Sequence, residues 1–527
     1  MLIRYTASAD NTIVNAYQLN LTTRGTGANA GTADIIETFS IYGRQSTSSQ
    51  ELSRILIKFP VTDISTDRTN GIIPASGSVN FYLKVYNAPH SKTTPRDYTL
   101  NVLPIAQDWQ EGDGLDLEGY KDLTRGDIGS NWVSASNTAP WTGSNYTTND
   151  CVGGSYRTGS SDPQFKPTFA GGTENLELDI TPLVEHWMAG TISNYGIGVH
   201  LSSSFEAIAT AADNTADDMV LPITGGAVKS YYTKRFFGRN TEFFFYRPVI
   251  EARWDSTTRD ERGDFYFSSS RAPAADNLNT IYFYNMIRGR LVDLPDVHAN
   301  HINVSLYSGS ANNSTPSGTA ISVYNGSDAS TVTVITGGFV STGIYSASIC
   351  VPSSSVATYY DVWFSGSDSV SDGASSSVQY STGTIQPLFY GQGFSIGNPT
   401  YYLSISNLQQ KYLSTDTARM NLFVRKKDWS PTIYTVANAA VESETIVSAS
   451  YRVYRLMDGL EAVSYGTGSD YHTGLSYDIS GNYFNLDMGL LEPGYAYGLR
   501  FAFYDSDNKT WREQDQVFKF RVEDYEY

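Results

Sequence analysis

The first side chains that could bind a ligand are the carboxylates of one short acidic segment, residues 107–122. It places Asp113 and Asp116 among glycines, where close carboxylates and free backbone carbonyls could hold a hard cation such as Ca²⁺. The spacing differs from the DxDxDG loop with its distal Glu, so a solvated acidic loop is the alternative interpretation. We expect no cofactor, and the solvated loop is the favoured interpretation; if the loop holds a structural calcium, Asp113 and Asp116 are the candidate ligands.

Three tryptophans, Trp109, Trp132 and Trp141, lie in or shortly after the same segment, in loop-like sequence. Flat rings that face water could stack on sugar faces, so these residues are the candidate sugar-binding site. Trp in loops also packs against the ends of β-sandwiches, where the large ring covers apolar surface. The sequence leaves both roles open.

A third candidate is the aromatic segment, residues 231–246, with the sequence YYTKRFFGRNTEFFFY. It has more large rings than one buried face of a strand can accommodate. It is either a hairpin packed between domains or a surface for another subunit, because Tyr, Phe and Arg are enriched at interfaces. The candidate interface residues are Tyr231, Tyr232, Phe236, Phe237, Arg239, Phe243, Phe244 and Phe245.

Catalytic motifs are not found. The six histidines include the close pair His298 and His301, but no HExxH or comparable metal-ligand spacing. No GxSxG elbow, P-loop or dinucleotide fingerprint stands between a strand and a helix. The sequence therefore predicts a protein that is not an enzyme, and we nominate no catalytic residue.

Charge and composition limit the partners. The chain has 36 Lys and Arg against 54 Asp and Glu, a formal net charge of −18, which disfavours binding to nucleic acid. No segment approaches the roughly 18 apolar residues of a membrane span, and the first residues are polar, so we expect a soluble chain made in the cytoplasm. Cys151 and Cys350 are the two cysteines, and we expect both to be unpaired thiols.

An all-β fold must position these residues. Abundant Tyr, Ser, Thr, Gly and Asn are typical of half-buried strands and tight turns. Strands are predicted at residues 54–59, 79–86, 195–201 and 249–254. One helix is predicted at residues 181–190, with a capping Thr, a Pro in the first turn and a closing Gly.

Composition shifts divide the predicted sheets into domains. We predict a first β-sandwich at residues 1–256 and a linker at residues 257–279, where charges, Ser and Pro mix. Two further sandwiches follow, at residues 280–390 and 391–527, each of a length that fits about seven strands.

The first of these domains resembles a known family. RILIKFPVTDI from residue 54, VNFYLKVYN from residue 79, LELDITPLVEHWMAGTISNYGIGVHL from residue 176 and RPVIEARWD from residue 247 follow in order. They resemble the DNRLRE-type β-sandwich module, a jelly-roll-like domain grouped with carbohydrate-binding modules. The resemblance implies a jelly-roll-like fold, but the literal DNRLRE string is absent, so sugar binding is not implied by motif.

The chain as a whole is similar to the large virion structural proteins of marine tailed phages of the cyanophage type. The similarity lies in YNAPHSKTTPRDYTLNVLPIAQDW from residue 86 and LVEHWMAGTISNYGIGVHLS from residue 183. LEPGYAYGLRFAFYD from residue 491 resembles the Pro-Gly turn, tyrosine corner and strand of an immunoglobulin-like or fibronectin-like domain. These resemblances imply a particle protein that is assembled in the host cytoplasm.

The sequence thus predicts an all-β protein, in which a jelly-roll-like β-sandwich is followed by two immunoglobulin-like β-sandwiches. The expected function is that of a non-enzymatic structural protein of a tailed-phage virion, a multi-copy tail, neck or baseplate component. Its expected partners are other virion proteins and copies of itself. The alternative is a carbohydrate-binding adhesin or fibre component that recognises host surface polysaccharide through its tryptophans.

Overall fold

The computed structural model shows a chain built mainly of β-strands, so the predicted all-β class is confirmed. The chain divides into two compact units, Met1–Asp255 (unit 1) and Ser256–Tyr527 (unit 2). The three-domain division with a linker at residues 257–279 stays a prediction. The structure describes residues 1–15, 28–44, 49–90, 94–115, 129–142, 153–208, 225–226, 231–269, 274–294, 297, 302–308, 318–324, 331–352, 356–365, 378–387, 400–427, 429, 432–433, 442–468, 470–506 and 508–524.

Two antiparallel sheets form most of unit 1. Its strands are β1 (Leu2–Thr6), β2 (Ala9–Asn15), β3 (Ile35–Arg44), β4 (Ser49–Lys58), β5 (Asn80–Val85), β6 (Tyr98–Pro104), β7 (Ser134–Ser136), β8 (Ala139–Pro140), β9 (Thr168–Phe169), β10 (Leu176–Asp179), β11 (Ile197–Leu201), β12 (Ala207–Ile208), β13 (Gly225–Gly226), β14 (Tyr231–Phe237) and β15 (Val249–Arg253). A four-stranded sheet has the order β1-β15-β5-β10. A seven-stranded sheet has the order β14-β3-β4-β11-β6-β9, with β2 paired to β4.

The core of unit 1 lies between these sheets. Phe81, Leu83 and Val85 alternate along β5 and are buried, as the predicted period-2 pattern requires. They share one apolar cluster with Ile55 and Ile57 of β4, from the other sheet. The arrangement is sandwich-like, while the specific jelly-roll topology stays a prediction.

The predicted helix is α2 (Thr181–Met188), and its apolar face is buried against the core. The predicted cap is wrong in detail. The Asp179 carboxylate accepts from the Thr181 backbone N–H at 2.9 Å, whereas the Thr181 hydroxyl accepts from the backbone N–H of Phe81 at 2.8 Å. Thr181 therefore ties the helix to β5, and the Asp before it satisfies the free helix donor.

A second helix, α1 (Val61–Thr69), has no counterpart in the sequence analysis. Its residues are mostly polar, and among them Val61 and Ile64 are buried, so it lacks a helical apolar stripe. The Arg68 guanidinium makes two hydrogen bonds of 2.7 Å to the Glu185 carboxylate of α2. Tertiary contacts therefore define a helix that periodicity does not indicate.

Unit 2 contains three larger sheets. Its strands are β16 (Asn279–Tyr284), β17 (Met286–Ile287), β18 (Arg290–Leu291), β19 (Ile302–Ser308), β20 (Val323–Tyr324), β21 (Thr331–Val332), β22 (Ile335–Ser341), β23 (Ile344–Ile349), β24 (Tyr359–Ser365), β25 (Val378–Ile385), β26 (Tyr401–Ile405), β27 (Lys411–Leu413), β28 (Thr417–Lys426), β29 (Ala449–Arg455), β30 (Glu461–Val463), β31 (Ser476–Asp478), β32 (Gly481–Asp487), β33 (Ala496–Asp505), β34 (Thr510–Glu513) and β35 (Phe518–Glu523). The sheet orders are β16-β23-β22-β19-β24-β25, β26-β28-β32-β31 and β27-β35-β33-β29-β30, with β34 on β33.

Two details of unit 2 bear on the predictions. Phe265 and Phe267, from the segment predicted as a linker, are buried in the apolar cluster that β16 and β24 share. The buried Tyr497 in β33 donates its hydroxyl to the backbone carbonyl of Glu492 at 2.7 Å. This bond has the form of a tyrosine corner, while the immunoglobulin topology itself stays a prediction.

The remaining sequence expectations concern thiols and membranes. Cys350 is a buried free thiol, and Cys151 lies outside the described residues. Within the described ranges, neither helix has the length and apolar character that crossing a bilayer requires.

Candidate interaction surface

The three candidate sugar-binding tryptophans lie in the core of unit 1. Trp109, Trp132 and Trp141 are at most 6% exposed and pack in one apolar cluster with residues of β2 and β4. The indole N–H of Trp109 donates to the carbonyl of Tyr195, and that of Trp141 to the carbonyl of Asn131, both at 2.8 Å. Rings covered in this way offer no face to a sugar, so the structure places them as packing residues.

A buried ion pair lies beside these rings. The Arg54 guanidinium sits 5.1 Å from the Trp132 ring centroid and makes two 3.0 Å hydrogen bonds to Glu206. Burial opposes ionisation of Glu206, but Arg54 and His200 outweigh it and hold the pKa of Glu206 below its ordinary value. Burial, with Arg54 nearby, lowers the pKa of His200 to about 4, so its imidazole is neutral at pH 7.

Two carboxylates of the acidic segment form ion pairs with cationic side chains of unit 1. Asp108 pairs with Lys58 at 2.7 Å, and Glu111 pairs with Arg239 at 2.9 Å. Asp113 is half-buried, and its backbone carbonyl accepts from the Thr32 hydroxyl, whereas Asp116 lies outside the described residues. In the part of the chain that the structure describes, no group of three His, Cys, Asp or Glu side chains could hold a metal.

The aromatic segment is largely covered. Its first part is strand β14, which pairs with β3 in the seven-stranded sheet and turns Phe236 into the core. Phe237 and Phe245 are buried, Tyr232 and Phe244 are half-buried, and the Tyr231 side chain is outside the described set. Most of the candidate interface residues are thus buried or half-buried by other residues of unit 1.

Among the aromatic side chains of this segment that the structure describes, Phe243 is the exposed one, at 48% exposure. Its ring lies 5.5 Å from that of Phe237 and 5.7 Å from that of Tyr246, and these last two stack at 5.0 Å. Arg239, the candidate cation, is bound to Glu111 and ties the segment to the acidic loop. A contact surface on the aromatic segment would therefore consist mainly of the exposed edge of the Phe243 ring.

A larger apolar surface lies in unit 2, at what we call the hairpin tip, residues 286–292 and 339–343. Strands β17 and β18 pair through a two-residue turn, in which Arg288 and Gly289 have φ angles of 52° and 77°. Two positive φ angles are typical of a type I′ turn, which fits the twist of a hairpin. Large apolar side chains are exposed on it, namely Met286, Ile287, Val292, Phe339 and Val340.

Backbone contacts hold the two parts of the hairpin tip together. The N–H of Asn285 donates to the carbonyl of Gly343 at 2.7 Å, and the N–H of Gly343 donates to the Asp293 carboxylate at 2.7 Å. A Cβ atom at Gly343 would lie 2.7 Å from the backbone nitrogen of Val292. The exposed side chains therefore stand on a fixed frame.

The charge of the hairpin tip is opposite to that of the chain. Arg288 and Arg290 are both exposed, and neither forms an ion pair with another described residue. Residues 263–410 contain no Lys, and Arg271 is their one other Arg. Positive charge in this stretch is thus concentrated where the apolar side chains are exposed.

The sequence analysis missed the hairpin tip. Its signal is the short run MIRGRLV, in which a Gly turn is flanked on both sides by apolar residues and Arg. The run is too short for a confident strand pattern, but a turn residue between apolar side chains predicts their exposure.

Comparisons with known proteins identify no family. No protein-family model matches the chain, and no curated protein matches it significantly. The adhesin InvE of Yersinia pseudotuberculosis is 11% identical over 42% of this chain and 49% of that chain, with a TM-score of 0.14. A DUF4785 family protein of Legionella pneumophila is 8% identical over 98% and 92% of the two chains, with a TM-score of 0.13.

A third solved structure, trypsin-activated alpha-2-macroglobulin from Escherichia coli, is 8% identical over 92% of this chain and 30% of that chain, with a TM-score of 0.14. The chain thus spans about half the length of the adhesin and under a third of the macroglobulin. TM-scores this low carry no argument about function.

Proposed function

We propose that this chain is a non-enzymatic structural protein of a tailed-phage virion that contacts a second copy of itself through the hairpin tip. The observation that carries the contact is the exposure of Met286 and Ile287, 56% and 53%, on the turn that also presents two arginines. The sequence stretches that resemble phage virion proteins support the particle context. On this proposal the protein is a multi-copy tail, neck or baseplate component, assembled in the host cytoplasm.

The chemistry of the hairpin tip favours a protein partner. Met, Phe and Arg are enriched at protein interfaces and Lys is depleted, and the tip follows that composition. Burying the exposed apolar side chains would contribute about 25 cal/mol for each Å² removed from water. Such an exposed set is costly to keep unless it is covered in the assembled state.

Charge complementarity favours a second copy as that partner. The chain has 54 Asp and Glu against 36 Lys and Arg, so its surface offers carboxylates to Arg288 and Arg290 of a neighbouring molecule. A tip that contacts a different patch makes a head-to-tail contact, which generates rings or filaments rather than closed dimers. Tails, necks and baseplates are built from repeated subunits of this kind.

Sedimentation velocity over a concentration series of the full chain tests the contact. Met286→Ser combined with Ile287→Ser should weaken self-association by about tenfold or more, because the central apolar side chains are lost. The matched control is Met457→Ser combined with Ile479→Ser, since these residues are 71% and 72% exposed elsewhere on unit 2. A wild-type chain that stays monomeric, or equal loss in both variants, would contradict the proposal.

The particle context needs its own test. Purified particles of the phage that encodes the chain should contain it in several copies, as ordered density between other subunits in a cryo-EM map. Absence from purified particles would exclude a virion role and leave the self-contact to be explained otherwise.

A further inference from the structure

A buried lysine in unit 1 has surroundings that differ from those of an ordinary ion pair. Lys234 of β14 is 0% exposed, and its Nζ lies 2.7 Å from the side-chain oxygen of Asn87. Its other acceptors are the backbone carbonyls of Gly172 at 3.0 Å and Glu174 at 2.7 Å. The amine is therefore held among neutral oxygens, next to a side-chain amide.

The frame around this pair is rigid. Asn87 follows β5 of the four-stranded sheet, and Lys234 belongs to the edge strand of the seven-stranded sheet. The backbone N–H of Ala88 donates to Arg235 at 3.0 Å, and that of Phe237 donates to Tyr86 at 3.0 Å. Two residues that are 147 positions apart thus meet in a fixed geometry, which is the condition under which proximity accelerates a reaction most.

The surroundings raise the fraction of neutral, nucleophilic amine above that of an exposed lysine. Nζ lies 4.9 Å from the ring centroid of Phe169 and 5.0 Å from that of Phe236. Burial lowers the pKa of Lys234 to about 8, and Glu174 partly offsets this effect. Desolvation of this kind activates lysine amines in enzymes, because the neutral form carries the reactive lone pair.

The Glu174 backbone carbonyl accepts from the Lys234 amine, whereas its exposed carboxylate accepts from the backbone N–H of Gly171. Burial opposes its ionisation, but the backbone N–H groups of Gly171 and Gly172 hold the pKa of Glu174 below its ordinary value. It is therefore charged at neutral pH, and its negative charge partly offsets the effect of burial on the pKa of Lys234.

We propose that Lys234 and Asn87 form an intramolecular amide bond that joins the two sheets of unit 1 covalently. Nζ attacks the side-chain Cγ of Asn87, the new Nζ–Cγ bond forms, and the Cγ–Nδ2 bond breaks. The proton that the attacking amine loses passes to the leaving nitrogen, which departs as ammonia. Nothing is oxidised or reduced, and no cofactor takes part.

Such a bond would serve a protein exposed to mechanical load or proteases. It links β5 to β14, so the two sheets could not separate without breaking a covalent bond. The inference is independent of the proposed function, because it concerns residues of unit 1 that the hairpin tip does not use.

Intact-mass spectrometry of the denatured full chain tests this proposal. The wild-type chain should weigh about 17 Da less than its sequence, the mass of one ammonia. Lys234→Arg should restore the full mass, whereas the control Lys84→Arg, at a half-buried lysine of β5, should keep the loss.

Peptide mapping decides between this bond and other losses of ammonia. A proteolytic fragment in which the peptides of Asn87 and Lys234 are joined supports the proposal. A wild-type mass equal to that of the sequence would overturn it. A loss that maps instead to a succinimide at Asn70 or Asn325, which both precede Gly, would overturn it as well.

Discussion

The aromatic segment of unit 1 and the hairpin tip of unit 2 are both rich in apolar side chains, yet they are covered to very different degrees. In the aromatic segment, pairing of β14 with β3 directs Phe236 into the core. In the hairpin tip, a two-residue turn leaves Met286 and Ile287 more than half exposed. A high density of aromatic residues in a sequence therefore indicates that many rings must be buried in the fold. The position of a tight turn indicates which apolar side chains stay exposed.

The cations of the two regions differ in the same way. Lys234 and Arg239 of the aromatic segment are bound to carbonyls and to Glu111 within unit 1. Arg288 and Arg290 of the hairpin tip are exposed, without an ion-pair partner among the described residues. Internal cations stabilise a fold, while exposed ones beside apolar side chains are available for a partner.

The largest expected effect is on stability. Phe236→Ala should lower the free energy of unfolding of unit 1 by about 3 to 5 kcal/mol, because it leaves a cavity in the core. Met286→Ala should change the stability of unit 2 by less than about 0.5 kcal/mol, since its side chain is mostly in water. Chemical denaturation monitored separately for each unit measures both, and equal effects would erase the distinction between the two regions.

Acid should reduce the contribution of His200 to the stability of unit 1. His200 has a folded pKa of about 4 against an ordinary value of 6.5, so between these values the unfolded state binds the proton and stability falls with falling pH. From pH 7 to pH 5 the contribution of His200 to the free energy of unfolding should fall by about 2 kcal/mol. The His200 imidazole faces Arg54, Glu206 and Tyr156.

The control for this effect is His200→Gln, which removes the titrating group. Between pH 7 and pH 5 the free energy of unfolding of wild type should fall by about 2 kcal/mol relative to that of this variant, because Asp10, whose pKa burial raises to about 7, titrates in both proteins. An identical pH dependence in the two proteins would show that His200 is not buried as a neutral imidazole.

Phe243→Ala is expected to have an intermediate effect, about 1 kcal/mol, because the ring contacts Phe237 and Tyr246 but is 48% exposed. Thermal unfolding of unit 1 measures it. A cost as large as that of Phe236→Ala would mean that Phe243 is covered.

The smallest expected effect on stability comes from Arg288→Ser combined with Arg290→Ser, within about 0.5 kcal/mol. The same change should weaken self-association and reduce its dependence on salt, because exposed charge pairs are screened. Sedimentation at two ionic strengths is the measurement. A salt dependence that the variant leaves unchanged would place the electrostatic contact elsewhere.

Periodicity and composition predict the fold class well, because alternation along β5 and the Pro-started helix α2 are local signals. They fail at α1, whose helical form depends on contacts with α2 rather than on its own sequence. They also cannot predict that Trp109, Trp132 and Trp141 meet in one buried cluster, since that depends on how distant loops close. The pair of Asn87 and Lys234 is equally invisible in the sequence, because pairing between sheets brings it together.

The most direct test of the account places a photo-cross-linking amino acid at position 287 of the full chain, or at position 243 in a second variant. Position 287 is in the hairpin tip, and position 243 is the exposed ring of the aromatic segment. Irradiation should give covalent dimers from position 287 and few or none from position 243. Dimers from position 243 alone, or from neither position, would contradict the claim that the hairpin tip is the contact surface.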